Sequence, residues 1–356
     1  MTGIEAWLAM ETILILTVAT VIIVLLFDFT NGFHDAANII ATVIASRAMT
    51  PVQAVAVVAV FEFLGPLLGG TAVANTIGKF VDLAETPPIL AMSVLLCGLL
   101  GAVAWNLLTW WKGIPSSSSH ALVGGLVGAV VVAVGGQHVV WGFAELFRNG
   151  HVTGVTKVLL ALVISPLAGF WCGFLILKAA HWLLRAARPS ANIGLRRVQF
   201  LTSAGLAFSH GANDAQKSMG ILTLILLLGG FIPDFTVPFW VMLACSTFLT
   251  MGILAGGWSI VRTLAFAIYR VRPLHALSSQ LTSASVILVA SLLGGPVSTT
   301  HVVSTSIMGV GAAERPRSVR WAKAGEIATT WVVTIPGSAF VGAVLFALLR
   351  GFTGAV

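Results

Sequence analysis

The chain has 356 residues, of which 58% are hydrophobic and 9% charged, with a formal net charge of +7 and a mean hydropathy of +1.00. That balance excludes a soluble globular protein, because most of the chain cannot face water. It predicts a polytopic membrane protein whose basic excess sits in short loops and sets orientation, with no call for nucleic acid as a partner.

Apolar runs near the ~20 residues that cross hydrocarbon as a helix recur along the chain. They lie at 13–27, 52–78, 90–111, 158–184, 239–257 and 332–349. Glu5 and Glu11 stand where a cleavable leader would carry basic residues, so no such leader is expected. The stretch 12–46 is too long for one straight span, and so is its later counterpart 198–230. Each holds a glycine-containing polar phrase, which predicts a broken or re-entrant helix covered by protein or lining a wet cavity. Cys97, Cys172 and Cys245 are isolated within apolar runs and read as small hydrophobes, without a disulfide or metal role.

Basic residues cluster at Arg185, Arg188, Arg196 and Arg197, at Arg262, Arg270 and Arg272, and at Arg315, Arg317, Arg320 and Lys323. Arg47 stands alone after the first polar phrase, while 82–88 and Pro233-Asp234 lack this bias. With the basic loops in the cytoplasm, the first phrase is crossed from outside to inside and the second in the opposite sense. The expected architecture is therefore all-α, with two inverted repeats and about ten to twelve membrane segments. The first repeat is 1–190 and the second 191–356, joined through a linker bearing Pro189, Ser190 and Asn192.

The repeats announce themselves by four motifs. Asn31-Gly-Phe-His34-Asp35-Ala-Ala-Asn38 is answered by Pro115-Ser-Ser117-Ser118-Ser119-His120. His210-Gly-Ala-Asn213-Asp214-Ala-Gln-Lys217 is answered by Pro296-Val-Ser298-Thr299-Thr300-His301. The intervals from acid to histidine, 85 and 87 residues, are nearly equal, as an internal duplication requires.

Chemistry follows from residue type. An ionised carboxylate near the bilayer centre costs about 2.5–3.5 kcal/mol on insertion scales unless paired or wet. Two at equivalent places, Asp35 and Asp214, are either helix-stitching acceptors or cation ligands, and asparagine and carboxylate oxygens are hard ligands suited to the second task. Proline followed by hydroxyls starts a helix, whose free N–H groups and positive dipole end form an oxyanion cradle. His34, His120, His210 and His301 all lie at the motifs, where imidazole can change charge near neutral pH. Glu62, between Phe61 and Phe63 in an apolar run, is a further candidate, either functional or a neutral acid bonded to a carbonyl.

These four motifs together resemble the Pit-type inorganic phosphate transporters, symporters coupled to sodium or protons. The resemblance runs from about residue 28 to 311. It implies helical hairpin tips and broken helices meeting at a central phosphate site, and a homodimer. It implies phosphate contact by Ser117, Ser118, Ser119, Ser298, Thr299 and Thr300, and cation binding by Asp35, Asn38, Asn213 and Asp214. The family pattern is broken twice: His34 stands where the second copy has Asn213, and Lys217 where the first has Asn38. A fixed ammonium in a cation position and a titratable imidazole favour proton coupling over sodium at those four residues. No cofactor and no firmly bound metal is expected.

The expected activity is thus uptake of inorganic phosphate, alone or as a metal complex, across the cell membrane of a prokaryote. Each charge crossing the field exchanges about 2.3 kcal/mol per 100 mV, so a dianion entering a negative interior must bring at least two positive charges. Alternatives are a sodium-coupled symporter, a sulfate permease of the same fold, a channel, and an intramembrane hydrolase with a Ser117–Ser119 nucleophile and His120 base.

Overall fold

A computed structural model describes residues 3–256, 269 and 271–353; Arg262, Arg270 and the end of the 239–257 run lie outside them. Among the described residues twelve α-helices follow in order: α1 (Gly3–Ala45), α2 (Pro51–Leu68), α3 (Ala72–Ile77), α4 (Pro88–Trp111), α5 (Ser118–Ala133), α6 (Phe143–Asn149), α7 (Gly154–Leu183), α8 (Ala191–Leu228), α9 (Phe239–Ala255), α10 (Pro273–Leu292), α11 (Thr299–Glu314) and α12 (Trp321–Thr353). Among the described residues the β content is one isolated antiparallel bridge, Val81 with Val139.

Among the described residues six helices, α1, α2, α4, α7, α10 and α12, are long and apolar enough to cross a membrane, and α5 and α9 are shorter apolar ones. Helix α8 is 38 residues long but carries the second polar phrase, and α11 is the 16-residue counterpart of α5. Apolar side chains such as Trp171, Leu175, Val332 and Phe340 face outward, while Asp, Asn, Ser, Thr, His and a lysine are buried. This inside-out distribution suits a protein with hydrocarbon around it and a wet or ion-bearing centre.

The expectation of broken helices at the polar phrases is corrected. Helices α1 and α8 run unbroken for 43 and 38 residues, straight through both phrases. Their glycines serve close approach instead. A Cβ on Gly32 would lie 2.0 Å from the Leu249 carbonyl oxygen, and one on Gly211 would lie 2.4 Å from that of Glu62. Opposite them, Gly252 and Gly65 abut the carbonyls of Phe29 and Phe208. Each polar helix therefore crosses its neighbour, α1 on α9 and α8 on α2, backbone against backbone.

The helix starts, by contrast, form as the prolines foretell, at the hairpin tips that the resemblance implies. Helices α4 and α5 turn at 112–117, and α10 and α11 turn at 293–298. Ser117 and Ser298 cap the second arms by accepting from the backbone N–H of His120 and His301. The packing survives exchange of the two copies: α1 packs on α4 and α9 as α8 packs on α10 and α2. Likewise α5 lies against α4 and α12 as α11 lies against α10 and α7. The last helix of each sequence half thus packs on the hairpin of the other.

A buried centre between two hairpin tips

The tips of both hairpins arrive at the polar phrases of α1 and α8. Asp35 is 1% exposed. Its Oδ1 lies 2.9 Å from His34 Nδ1 and accepts from the Thr300 hydroxyl at 3.2 Å. Its Oδ2 accepts from Ser118 at 3.1 Å and Thr299 at 3.4 Å. One carboxylate of the first copy therefore holds hydroxyls from both hairpins. Asn38 donates to the Thr300 oxygen at 2.9 Å, fixing that side chain from below.

Asp214 mirrors this with a different escort. Its Oδ2 accepts from Thr299 at 3.2 Å, so the Thr299 hydroxyl lies between the two acids. Its Oδ1 takes the Lys217 ammonium at 2.5 Å. That ammonium also donates to Ser119 Oγ at 2.5 Å and to the Val297 carbonyl at 2.9 Å, tying the two tips together. Three oxygens around a buried Nζ are the surroundings of a bound cation. His210 Nε2 stands 3.4 Å from Asp214 Oδ2, and its Nδ1 stands 2.7 Å from Glu62 Oε1, all of it solvent-free. Asp35, His210 and Asp214 each offer a ligand atom within 4.8 Å of the others.

The remaining expected residues gather nearby in other roles. Asn213 turns away from the acids, donating to Ser291 Oγ and the Gly295 carbonyl behind the second tip. Ser117 and Ser298 spend their hydroxyls on capping. His120 and His301 meet edge to face at 4.6 Å, with His301 stacked on Trp331 at 3.9 Å. Asn31 is buried one turn before Asp35.

Sequence reading missed several contributors. Ser116 and Thr109 approach His34 Nε2 at 3.3 and 3.4 Å, setting the ring against Asp35. The Val297 carbonyl gives no sequence signal at all. Gln216 Oε1 accepts from the N–H of Val73, binding α8 to the start of α3. Asp28, fully buried on α1, precedes the repeated phrase and so escaped notice.

Chemically, the centre offers helix N-termini and hydroxyls for an oxyanion, two carboxylates for positive charge, and one tethered ammonium. Among the described residues no hydrogen bond joins the His120 ring to Ser117, Ser118 or Ser119, as a nucleophile–base pair would need.

A model of the phosphate transporter family matches residues 31–194 and 185–342. A probable low-affinity inorganic phosphate transporter of Bacillus subtilis (strain 168) is 41% identical over 344 residues, 96% of this chain and 99% of that protein. One of the same description from Rhizobium meliloti (strain 1021) is 40% identical, over 93% of this chain and 96% of its own. A solved structure described as the sodium-dependent phosphate transporter shares the fold, with a TM-score of 0.83 at 24% identity, over 94% of this chain and 99% of that one. The relatives are named as transporters and not as enzymes, so the hydrolase reading is dropped. The chain is an integral membrane protein that belongs to the phosphate transporter family.

Proposed function

We propose that the protein takes up inorganic phosphate by alternating access, driven by protons, with the anion seated between the tips of the α4–α5 and α10–α11 hairpins. The observation that carries this reading is the Thr299 hydroxyl shared by Asp35 and Asp214. It puts anion donors and cation acceptors in one desolvated place. An oxyanion entering there would take the hydroxyls of Ser118, Ser119, Thr299 and Thr300 and the N–H groups of the first turns of α5 and α11. Two bare carboxylates beside it would oppose its entry, since like charges 4 Å apart repel by about 4 kcal/mol at an effective dielectric near 20. Positive charge must therefore bind with the phosphate, which is the physical content of coupling.

Proton coupling is favoured because Lys217 Nζ already fills the cation position at Asp214. His34 on Asp35, and His210 between Glu62 and Asp214, supply imidazoles placed to carry a proton. Sodium is the second reading, favoured by the cluster of Asp35, His210 and Asp214 and by the description of the solved relative. Sulfate differs from phosphate in having no proton to donate to a carboxylate, which the hydroxyl-ringed acids would exploit. The two halves are read as an inverted pair, 1–190 and 191–356, and the exchange symmetry of the packing supports it. A homodimer in the cell membrane of a prokaryote completes the reading.

Uptake of labelled phosphate into proteoliposomes tests it. An inward pH gradient should drive uptake without sodium, excess sulfate should compete poorly, and Ser118→Ala with Thr299→Val should raise KM. A strict sodium requirement would overturn the proton choice; full inhibition by sulfate would overturn the substrate.

A further inference from the structure

Asp28, Asp35, Glu62 and Asp214 are all buried, and among the described residues Lys217 is the one fully buried lysine or arginine set against them. Three of these acids have partners: His34 and three hydroxyls for Asp35, Lys217 and Thr299 for Asp214, His210 for Glu62. Asp28 differs. Ser218 and Cys245 stand beside its carboxyl, and the Asp214 charge is within reach of it. Yet neither Asp28 oxygen, nor Ser218 Oγ, has a hydrogen bond of ordinary geometry. One turn along the same face of α1, Asn31 Oδ1 is also without a donor. Asp28, Asn31 and Ser218 are at most 1% exposed.

The second copy does without an acid at this point. The equivalent position of the second copy, seven residues before Asp214, is Ala207, likewise buried in the interior. Asp28, Asn31 and Asp35 stand three and four residues apart, so they line one face of α1 leading into the centre. Buried carboxylate, amide and hydroxyl oxygens that make no hydrogen bond of ordinary geometry are the ligand set of a small hard cation.

Charge counting points the same way. The Lys217 ammonium is covalently tethered, so the cation position at Asp214 cannot release its charge across the membrane. A dianion needs at least two mobile positive charges to enter a negative interior, and a position at Asp28 adds one to those that the imidazoles at Asp35 and at Glu62 can carry. Resting on the reading above, we propose that Asp28, Asn31 and Ser218 form a second cation station, beyond the central site, which takes one monovalent cation, proton or sodium, that travels with the phosphate.

The test counts charge and so does not depend on which cation it is. In proteoliposomes holding the full chain, the voltage at which net phosphate flux vanishes under fixed gradients gives the number of cations moved per phosphate. Asp28→Asn should lower that number by one, and Asp28→Glu should restore it. Asn31→Ala, which keeps the acid, should raise the cation concentration for half-maximal uptake roughly tenfold. An unchanged count in Asp28→Asn overturns the station. Where that variant fails to reconstitute, an unchanged half-maximal concentration in Asn31→Ala does so instead. Loss of uptake in Asp35→Asn alongside a normal Asp28→Asn would leave the central reading standing and remove only this one.

Discussion

Lys217 decides the character of the second copy. Its Nζ sits on Asp214, Ser119 and the Val297 carbonyl, where the first copy places an asparagine in the matching position. Removing one member of a buried ion pair leaves an uncompensated charge, typically worth 3–5 kcal/mol. Lys217→Asn should therefore abolish sodium-free uptake and yield a carrier that sodium restores, read as phosphate uptake with and without the ion. Sodium-free uptake at the wild-type rate would show that the ammonium is not a cation surrogate. Gly211 makes a second prediction. Because a Cβ there would lie 2.4 Å from the Glu62 carbonyl, Gly211→Ala should push α8 off α2 and destabilise the protein by about 1–3 kcal/mol. A lowered thermal midpoint of the purified protein checks it, and an unchanged one would contradict the close crossing.

At the scale of elements, the hairpins were legible and the long helices were not. Proline followed by hydroxyls specifies a helix start from neighbouring residues alone, and Ser117 and Ser298 cap where that chemistry requires. The glycines of α1 and α8 read as breaks because glycine weakens a helix locally. Their purpose depends on Leu249 and Glu62, far away in the chain, and no local pattern reveals it. The same distance hides the Val297 carbonyl and the turning of Asn213 away from the acids. Loss of a capping hydroxyl offers a clean test of the tips. Ser298→Ala should cost about 1 kcal/mol of stability and weaken phosphate affinity without changing the coupling ion. A shift in ion dependence would mean that Ser298 belongs to the cation side.

For the whole molecule, the exchange of last helices matters most. Helix α12 packs on the first hairpin and α7 on the second, so each half covers the hairpin of the other. The first tip also touches Asp35 through Ser118 and Lys217 through Ser119, and the second touches both acids through Thr299. If the anion sits between the tips so joined and protons drive it, uptake should rise as the outside pH falls at constant phosphate. The four paired motifs were evident in the sequence; the packing of α12 and α7 on the distant hairpins was not, because equal spacing says nothing of partners. The most direct test is proton flux on adding phosphate to sodium-free proteoliposomes, in wild type and in Asp35→Asn and Asp214→Asn. Protons should enter with phosphate in the wild type, and both fluxes should vanish in each variant although the protein reconstitutes. Wild-type phosphate and proton flux in either variant would contradict the shared centre.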